Sequence, residues 1–327
     1  MMIPLLRKLT LSAGIILPLL LASCSAQAPG PPLKKVKLTK THLHTFDGEK
    51  FSYTRWMPKE KPRTVIIGVH GISGAASDYG PLAKHVLKEF SDVAVYSAET
   101  RGQGNDPVKE RRGHIRKRSD WFRDLTTFTG LIREQYPGAK IIWCGESMGS
   151  LIVLHAYADS DKKAPLCDAM ILSSPITAIR KDFPRWKIAL TNLAGTLFPT
   201  ARISLETLSG QSEVRVTKDT VHTEQVQNNS YHVKRHTLRL LTTLGKMMQT
   251  ASKAGQHLNL PVIVLHGGKD VFSQPEDVKA FVDGLPEKAK PTKKFYPESF
   301  HLLFYDHQSD KVVADIAKWI KALPVKK

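Results

Sequence analysis

The chain has 327 residues, of which 41% are hydrophobic and 24% are charged. These values exclude a disordered chain and a polytopic membrane protein, and they allow either one large domain with an insertion or two ordinary domains. The formal net charge is +18, because 48 Lys and Arg stand against 30 Asp and Glu. So basic a surface attracts anionic membranes, acidic glycans or nucleic acid, and charge alone does not choose among them.

The first residues have the layout of a targeting segment. Arg7 and Lys8 precede an apolar stretch over residues 9–21, which is short for a transmembrane helix. Residues 1–23 are therefore predicted to be a signal peptide rather than part of the fold. The Pro-rich residues that follow, 24–35, are predicted to be a tether.

The predicted signal peptide ends in Leu-Ala-Ser, directly before a cysteine at position 24. This run resembles the lipobox of bacterial lipoproteins. The resemblance implies that Cys24 is lipidated and anchors the chain to a membrane of the bacterial cell envelope. Ser25 is compatible with sorting to the outer membrane of a Gram-negative cell, facing the periplasm. An ordinary secretory peptide cleaved near Ala26 is the alternative.

The other two cysteines are expected to be buried free thiols. Cys144 ends one predicted parallel strand, and Cys167 precedes the start of the next. They should therefore lie near opposite edges of the sheet. A disulfide requires Cα atoms within about 7 Å, so we expect no bridge.

Two strands, Val36–Phe46 and Lys50–Met57, are predicted to form a hairpin joined at Asp47-Gly48. Beyond it, apolar runs alternate with amphipathic segments, which is typical of an α/β fold with an open, doubly wound, mostly parallel sheet. The further predicted strands are Val65–Val69, Asp92–Ser97, Lys140–Cys144, Ala169–Ser173, Pro261–Leu265 and Lys293–Tyr296. The predicted helices are Tyr79–Phe90, Trp121–Tyr136, Met148–Tyr157, Glu276–Leu285 and Asp310–Leu323.

Residues 175–260 interrupt this alternation. They lack convincing apolar strands and contain helix-like stretches at Trp186–Leu197 and Tyr231–Lys253. We interpret the segment as a helical cap over the C-terminal edge of the sheet, inserted between core parts at 36–174 and 261–327. Its apolar residues are expected to pack together, and the lining of an acyl pocket is the alternative role.

The strongest chemical signal is the run Gly-Glu-Ser-Met-Gly from Gly145 to Gly149, between a predicted strand and a predicted helix. A serine on such a sharp turn stands at a helix N-terminus, where backbone N–H groups and the dipole favour negative charge. The glycines on either side of Ser147 allow the strand and the helix to approach closely. This pattern predicts Ser147 as a catalytic nucleophile.

A serine nucleophile needs a base and a carboxylate that orients the base, and in this kind of fold both follow the serine, each after a late strand. Asp270 follows the strand at 261–265, and His301 follows the strand at 293–296, so we assign them as acid and base. The alternatives for the acid are Asp306 and Asp283, and those for the base are His266 and His307.

The oxyanion hole requires two backbone N–H donors near the serine. One is expected from Met148, directly after the nucleophile. The other is expected from Ile72, in the glycine-containing loop after the first parallel strand. His70, at the start of that loop, is interpreted as a structural residue.

Five segments together resemble the monoacylglycerol lipase and lysophospholipase branch of the α/β-hydrolase superfamily, which includes serine aminopeptidases of the S33 type. They are His70 to Ile72, Glu99 to Gly104, Gly145 to Gly149, His266 to Asp270, and the segment at His301. The resemblance implies an α/β-hydrolase fold with a helical cap. It also implies a serine hydrolase that cleaves esters of single-chain lipids such as lysophospholipids or monoacylglycerols. The alternatives are a peptidase or amidase on the same scaffold, and a silent lipoprotein that binds lipid or anionic polymer.

The chain departs from this branch at one landmark. The branch usually has Asp-x-Arg-Gly-His-Gly where this chain has Glu99 in the acidic position and Gln103 in the His position. A basic run, 109–118, follows, and we interpret it either as a solvated loop or as a contact for lipid phosphate. No nucleic-acid-binding motif accompanies it. The expected partners are a lipid-like ester and an anionic membrane surface, no metal or organic cofactor is expected, and the oligomeric state is left open.

Overall fold

A computed structural model describes residues 35–160, 166–179, 184–204, 216–217 and 231–324. The predicted signal peptide, the lipidation site at Cys24 and residues 24–34 of the predicted tether lie outside the described residues. Within the described ranges, no helix combines the length and the apolar character needed to cross a bilayer.

The described strands form one large sheet and one small strand pair. Their bounds are β1 Lys37–Leu38, β2 His42–His44, β3 Lys50–Trp56, β4 Thr64–Val69, β5 Val93–Ala98, β6 Lys140–Glu146, β7 Ala169–Ser173, β8 Arg202–Ile203, β9 His236–Thr237, β10 Val262–Gly267 and β11 Thr292–Tyr296. The large sheet has the order β1-β2-β3-β5-β4-β6-β7-β10-β11. Its pairs from β5 to β11 are parallel, so the C-terminal ends of these strands lie at one edge.

Helices cover both faces of the sheet. Their bounds are α1 Gly80–Glu89, α2 Arg118–Gln135, α3 Met148–Asp159, α4 Arg185–Leu197, α5 Leu238–Gln249, α6 Ala251–Gly255, α7 Pro275–Asp283 and α8 Ser309–Lys321. Residues of α1 and α8 belong to one apolar core, and residues of α2, α3, α5, α6 and α7 belong to a second core on the opposite face. The parallel strands between them are buried on both faces, which explains their continuous apolar sequences. The predicted α/β-hydrolase fold is confirmed.

Three predicted elements were wrong in detail. Residues 36–46 form not one strand but the short antiparallel pair β1 and β2. Helix α2 begins at Arg118, ahead of the predicted start at Trp121, because the extended backbone of Lys117 lies before it. The helix predicted from Tyr231 begins only at Leu238, since the two residues before it pair with β8 and Thr237 Oγ1 caps the helix by accepting Leu240 N–H at 3.3 Å.

Both described cysteines are free and buried, as predicted. The sheet register pairs Cys144 of β6 with Ile171 of β7. Cys167 lies before the start of β7, so the two thiols are separated along the strand direction by about four residues, or about 13 Å. This distance is too long for a disulfide.

A buried arginine joins the N-terminal hairpin to α2. The Arg101 side chain is 4% exposed and forms ion pairs of 2.9 Å with Asp47 in the hairpin turn and 2.7 Å with Asp124 in α2. Its guanidinium also lies over the rings of Phe46 and Phe51, 5.4 and 5.1 Å from their centroids. Each carboxylate receives two hydrogen bonds from the planar guanidinium, a geometry that the single ammonium of lysine cannot reproduce.

We expect Arg101→Lys to lower the free energy of unfolding by about 2–4 kcal/mol, because it leaves buried carboxylate oxygens without donors. Urea denaturation measures this change. Arg63→Lys is the matched control, because Arg63 is 82% exposed and pairs only with Asp92 at 2.7 Å, and we expect it to change stability by less than about 1 kcal/mol. Equal losses in the two variants would show that the buried arginine has no special role.

Candidate active site

Ser147 lies in the turn between β6 and α3. Its backbone has φ 55° and ψ −116°, a conformation that non-glycine residues rarely adopt. The turn is this tight because two positions lack a side chain. A Cβ at Gly145 would lie 2.5 Å from the carbonyl of Gly149, and a Cβ at Gly149 would collide with the carbonyl oxygen of Val69 in β4. The predicted elbow glycines therefore allow α3 to start directly against the sheet.

Asp270 and His301 form a buried pair beyond the ends of β10 and β11. Asp270 Oδ2 accepts a hydrogen bond of 2.8 Å from His301 Nδ1. Because the carboxylate accepts, the proton lies on Nδ1 and the lone pair lies on Nε2. Within the described residues, His301 Nε2 is buried and has no hydrogen-bond partner. The imidazole is therefore oriented to receive a proton on Nε2.

The Asp270 carboxylate is held by several further contacts. Burial raises the pKa of Asp270, but the charge and the hydrogen bond of His301 and the Phe272 N–H outweigh burial, so the net pKa lies below its usual value. Asp270 Oδ1 accepts Phe272 N–H at 2.8 Å, and Oδ2 accepts Ser273 Oγ at 3.1 Å. The ring of Phe272 also meets the His301 ring edge-on, with centroids 4.7 Å apart. The carboxylate stays ionised and fixes the imidazole in one orientation.

The alternative acids and bases occupy other positions. His266 Nε2 lies 3.0 Å from Ser273 Oγ and 3.7 Å from Asp270 Oδ2, whereas His301 Nδ1 binds the same carboxylate oxygen directly at 2.8 Å. Asp306 accepts the N–H groups of Phe300 and His307, at 2.5 and 2.8 Å, and so shapes the turn that carries His301. The remaining alternatives are surface residues. Asp283 pairs with Lys279 on the exposed face of α7, and His307 is exposed.

Ser147 and His301 are held by neighbouring residues at the end of β7. Ser147 N–H donates to the carbonyl oxygen of Ser173 at 3.0 Å. Ser174 Oγ donates to the carbonyl oxygen of His301 at 2.6 Å. Ser147 and His301 are 4% and 2% exposed, so the structure brings a buried hydroxyl and a buried imidazole to the same short stretch of the sheet edge.

The two predicted oxyanion donors lie next to Ser147. Met148 is the first residue of α3, where a backbone N–H has no partner within its helix. Ile72 follows Gly71, and a Cβ at Gly71 would lie 3.3 Å from the Cβ of Ser147 and 3.8 Å from its Oγ. Within the described ranges, neither the Ile72 nor the Met148 N–H donates a hydrogen bond to the protein. Both amides are therefore available to an oxygen bound at Ser147.

Sequence reasoning missed the residues that support this site. Ser173 and Ser174 hold the serine and the histidine, and Ser273 bonds the Asp270 carboxylate. Gln103 was noted only as a departure from a family pattern, yet its Oε1 accepts the Ser73 N–H at 2.8 Å. Ser73 itself has φ 59°. Its position directly after Ile72 is the sequence feature that could have marked it as part of the site.

Glu146, the last residue of β6, is buried directly before Ser147. It is 2% exposed, and within the described residues its Oε1 has no hydrogen-bond partner. Burial, together with the nearby charge of Asp78, raises the pKa of Glu146 to about 8. The side chain is thus neutral at neutral pH and acquires charge only under alkaline conditions.

Within the described ranges, no group of three or more His, Cys, Asp or Glu side chains could hold a metal ion. The chemical groups gathered at the sheet edge are a hydroxyl, an imidazole–carboxylate pair and backbone amides. These groups can perform acyl transfer.

A serine on a strand–turn–helix elbow, with an Asp–His pair beyond two later strands of the same parallel sheet, defines the α/β-hydrolase class. Comparison with known proteins agrees. Residues 60–308 match the Hydrolase_4 family, described as serine aminopeptidase, S33. The chain belongs to this family.

The chain is similar to enzymes named as lipases. It is 27% identical to a monoacylglycerol lipase of Mycolicibacterium smegmatis over 84% of this chain and 93% of the relative. It is 24% identical to the monoglyceride lipase of Rattus norvegicus over 85% and 89%. These relatives place it in the monoacylglycerol lipase-like branch, a branch of serine ester hydrolases.

Solved structures share the fold. A soluble variant of Saccharomyces cerevisiae monoglyceride lipase, in complex with a substrate analogue, superposes with a TM-score of 0.74 at 20% identity, covering 91% of this chain and 100% of that one. A thermostable carboxyl esterase from Bacillus coagulans gives 0.73 at 18% identity, covering 88% and 99%. At such identities the likeness concerns the fold alone.

Glu146→Gln tests the buried carboxyl. The folded protein keeps the Glu146 proton up to about pH 8, whereas the ordinary pKa is 4.5. The wild type should therefore lose stability as pH rises through this window, because only the unfolded chain releases the proton. The variant cannot ionise there, so we expect its stability relative to wild type to rise by about 4 kcal/mol from pH 4.5 to about 8.

Urea denaturation at several pH values measures that difference. Glu134→Gln is the matched control, because Glu134 is an exposed residue of α2, and its curve should run parallel to the wild-type curve. A Glu146→Gln curve that is also parallel to wild type would mean that the carboxyl ionises in the folded protein as it does in the unfolded chain.

Proposed function

We propose that the chain hydrolyses carboxylic esters of single-chain lipids, with monoacylglycerols as the first candidates and lysophospholipids as the second. Ser147 is the nucleophile, His301 the base and Asp270 its carboxylate partner. The observation that carries the proposal is the 2.8 Å bond between Asp270 and His301 Nδ1, which leaves a buried Nε2 lone pair in the region of Ser147. The names of the relatives support the choice of substrate.

In the first half-reaction, His301 Nε2 takes the hydroxyl proton while Ser147 Oγ attacks the ester carbonyl carbon. The tetrahedral intermediate carries its negative charge on oxygen, and the N–H groups of Ile72 and Met148 stabilise that charge. The imidazolium formed on His301 is stabilised by Asp270, whose pKa stays below its usual value. The proton then passes from Nε2 to the leaving alcohol, and an acyl-enzyme remains.

In the second half-reaction, water takes the place of the leaving alcohol. His301 removes a proton from the water, the resulting hydroxide attacks the acyl carbonyl, and the same two amides hold the oxyanion. Collapse of the intermediate returns the proton to Ser147 Oγ and releases the fatty acid. No metal or organic cofactor takes part in these steps.

Amide cleavage is the competing activity, because the family is described as serine aminopeptidase. An aminopeptidase has to bind a substrate ammonium group, for which a carboxylate is the natural partner. The predicted cap, 175–260, has no Asp or Glu among its described residues, and its five acidic residues, Asp182, Glu206, Glu213, Asp219 and Glu224, lie outside the described ranges. Comparison of ester with amide substrates separates the two activities.

We further propose that an anionic membrane surface binds helix α4 of the predicted cap. Trp186, Leu190, Leu193 and Leu197 follow helical spacing, so they share one face, and each is between 55% and 63% exposed. Phe198, directly after the helix, is 65% exposed. An exposed apolar face of this size marks an interaction surface.

The charged residues in the described cap ranges nearest in sequence to this helix and to α5 fit an anionic bilayer. All seven charged residues in the ranges 184–204 and 231–249 are basic. They are Arg185, Lys187, Arg202, Lys234, Arg235, Arg239 and Lys246. Each basic side chain near an anionic leaflet adds about 1 kcal/mol of binding. This surface would complement an envelope anchor at Cys24, which we propose on the sequence alone, and would place the sheet edge near membrane-borne esters.

Ser147→Ala and His301→Ala should each lower kcat/KM for p-nitrophenyl butyrate and for 1-monooleoylglycerol by on the order of 10³-fold or more, because the first removes the nucleophile and the second removes the base that takes its proton. His307→Ala removes an exposed imidazole from the same segment and should stay within about twofold of wild type. Wild-type hydrolysis by Ser147→Ala would overturn the mechanism.

The same assay decides the substrate class. Monooleoylglycerol, lysophosphatidylcholine and an aminoacyl p-nitroanilide are compared under identical conditions. We expect the glycerol ester to be cleaved fastest and the anilide to be resistant. A preference for the anilide would replace the esterase proposal with the aminopeptidase one.

Leu190→Asp combined with Leu193→Asp should raise the dissociation constant for phosphatidylglycerol-containing vesicles about tenfold or more, because two apolar contacts with the bilayer are lost. Cosedimentation of unlipidated protein measures this constant. Val36→Asp is the control, since Val36 is 38% exposed and its sequence position is outside the predicted cap. Equal binding to phosphatidylcholine vesicles would contradict the role of the basic residues, and unchanged binding by the α4 variant would contradict the role of the helix.

A further inference from the structure

The loop that carries the proposed oxyanion donor, residues 70–76, forms three hydrogen bonds with the turn after β5, residues 99–104. Thr100 N–H donates to His70 Nε2 at 3.0 Å at the start of the loop. Gln103 Oε1 accepts Ser73 N–H at 2.8 Å in its middle, and Glu99 Oε1 accepts Ala76 N–H at 3.3 Å at its end. The two residues that depart from the family pattern, Glu99 and Gln103, supply two of these three contacts.

Ser73 is the residue of this loop with the most constrained backbone. Its φ of 59° lies in the left-handed region, which serine occupies only when surrounding contacts impose it. Gln103, which is fully buried, fixes its N–H. Ser73 Oγ donates to the carbonyl oxygen of Val233 at 2.8 Å and lies 3.3 Å from His236 Nε2. Both Val233 and His236 belong to the predicted cap.

The cap segment that receives this hydroxyl is itself attached to the core. Thr237 N–H donates to the carbonyl oxygen of Gly113 at 2.8 Å, and Gly113 N–H donates to that of Gly102 at 2.6 Å. Gly113 has φ 80°, and a Cβ there would collide with the carbonyl oxygen of Arg235. Part of the basic run 109–118 thus connects the turn after β5 with the cap. Ser73 makes a second connection, because its hydroxyl bonds the cap at Val233.

We propose that Ser73 is a positioning residue that couples the predicted cap to the oxyanion hole. Its N–H and its hydroxyl hold the peptide that follows Ile72 between Gln103 on the core and Val233 on the cap. Gly71, on the other side of Ile72, is already packed on Ser147. The direction of the Ile72 N–H therefore depends on the cap being docked on Ser73, and losing this contact weakens oxyanion binding without removing any reacting group. The inference rests on the proposed function.

Two substitutions at Ser73 distinguish the effect of losing the hydroxyl from the effect of backbone strain. Ser73→Gly removes the hydroxyl and tolerates the positive φ, whereas Ser73→Ala removes the hydroxyl and keeps the backbone strain. Ser77→Ala is the matched control, because Ser77 is exposed just beyond the same loop. The substrate is the soluble ester p-nitrophenyl butyrate, and fluorophosphonate titration counts the active sites so that kcat refers to folded enzyme.

We expect both Ser73 variants to lower kcat about tenfold with KM unchanged. This decrease is smaller than the decrease on the order of 10²-fold or more that follows removal of an oxyanion donor, because both donors remain present. The inhibition constant of a boronic acid, whose tetrahedral adduct places an oxygen in the oxyanion hole, should rise by a similar factor. A purely structural role would instead lower the melting temperature and the number of titrated sites while leaving kcat per site intact.

Wild-type kcat per site in Ser73→Gly would overturn the coupling. A loss in Ser73→Ala alone would do the same, because it would show that only backbone strain matters. Failure of the proposed function is a separate outcome, since it appears as activity in Ser147→Ala. With Ser147→Ala inactive and Ser73→Gly fully active, the triad would stand and only the coupling would fail.

Discussion

The close approach of α3 to β4 is the constraint on which the site depends. Helix α3 can start directly after β6 only because positions 145 and 149 carry no Cβ, and a side chain at Gly149 would occupy the place of the Val69 carbonyl oxygen. This approach imposes the positive φ of Ser147 and directs the first amide of the helix toward the same point. The strain is maintained by buried hydrogen bonds, among them those of Ser150 Oγ to the carbonyl oxygens of Gly145 and Ser173, at 2.8 and 3.0 Å.

The order of strands then brings the other groups to this point. Strand β7 lies between β6 and β10, so its end borders both the elbow and the segments that follow β10 and β11. Ser173 and Ser174 hold Ser147 and His301 from that end. Residues far apart in the sequence thus meet because parallel strands present their C-terminal ends at one edge.

Much of this arrangement could be predicted from the sequence because its signals are local. Strands buried on both faces have continuous apolar sequences, the elbow has its glycines, and Asp270 and His301 each follow a strand. The contacts of Ser73 with Gln103 and Val233 could not be predicted in this way, because each joins segments distant in the chain. The late start of α5 has a similar cause, since pairing of β9 with β8 overrides the helical pattern before Leu238.

The predicted cap and the core have different chemical characters. The core buries its charges in pairs, as at Arg101, whereas α4 presents apolar side chains to the outside and has no buried residue. Helix α4 carries the apolar face that we propose binds lipid, whereas Val233 and His236, in another part of the predicted cap, contact Ser73.

If Ser147 is the activated hydroxyl of the chain, a fluorophosphonate should react with it, and peptide mapping locates the adduct. We expect a single adduct on Ser147, whose formation slows sharply in Asp270→Ala because the imidazole loses its orienting partner. An adduct on another serine, or a folded chain that remains unlabelled, would contradict it.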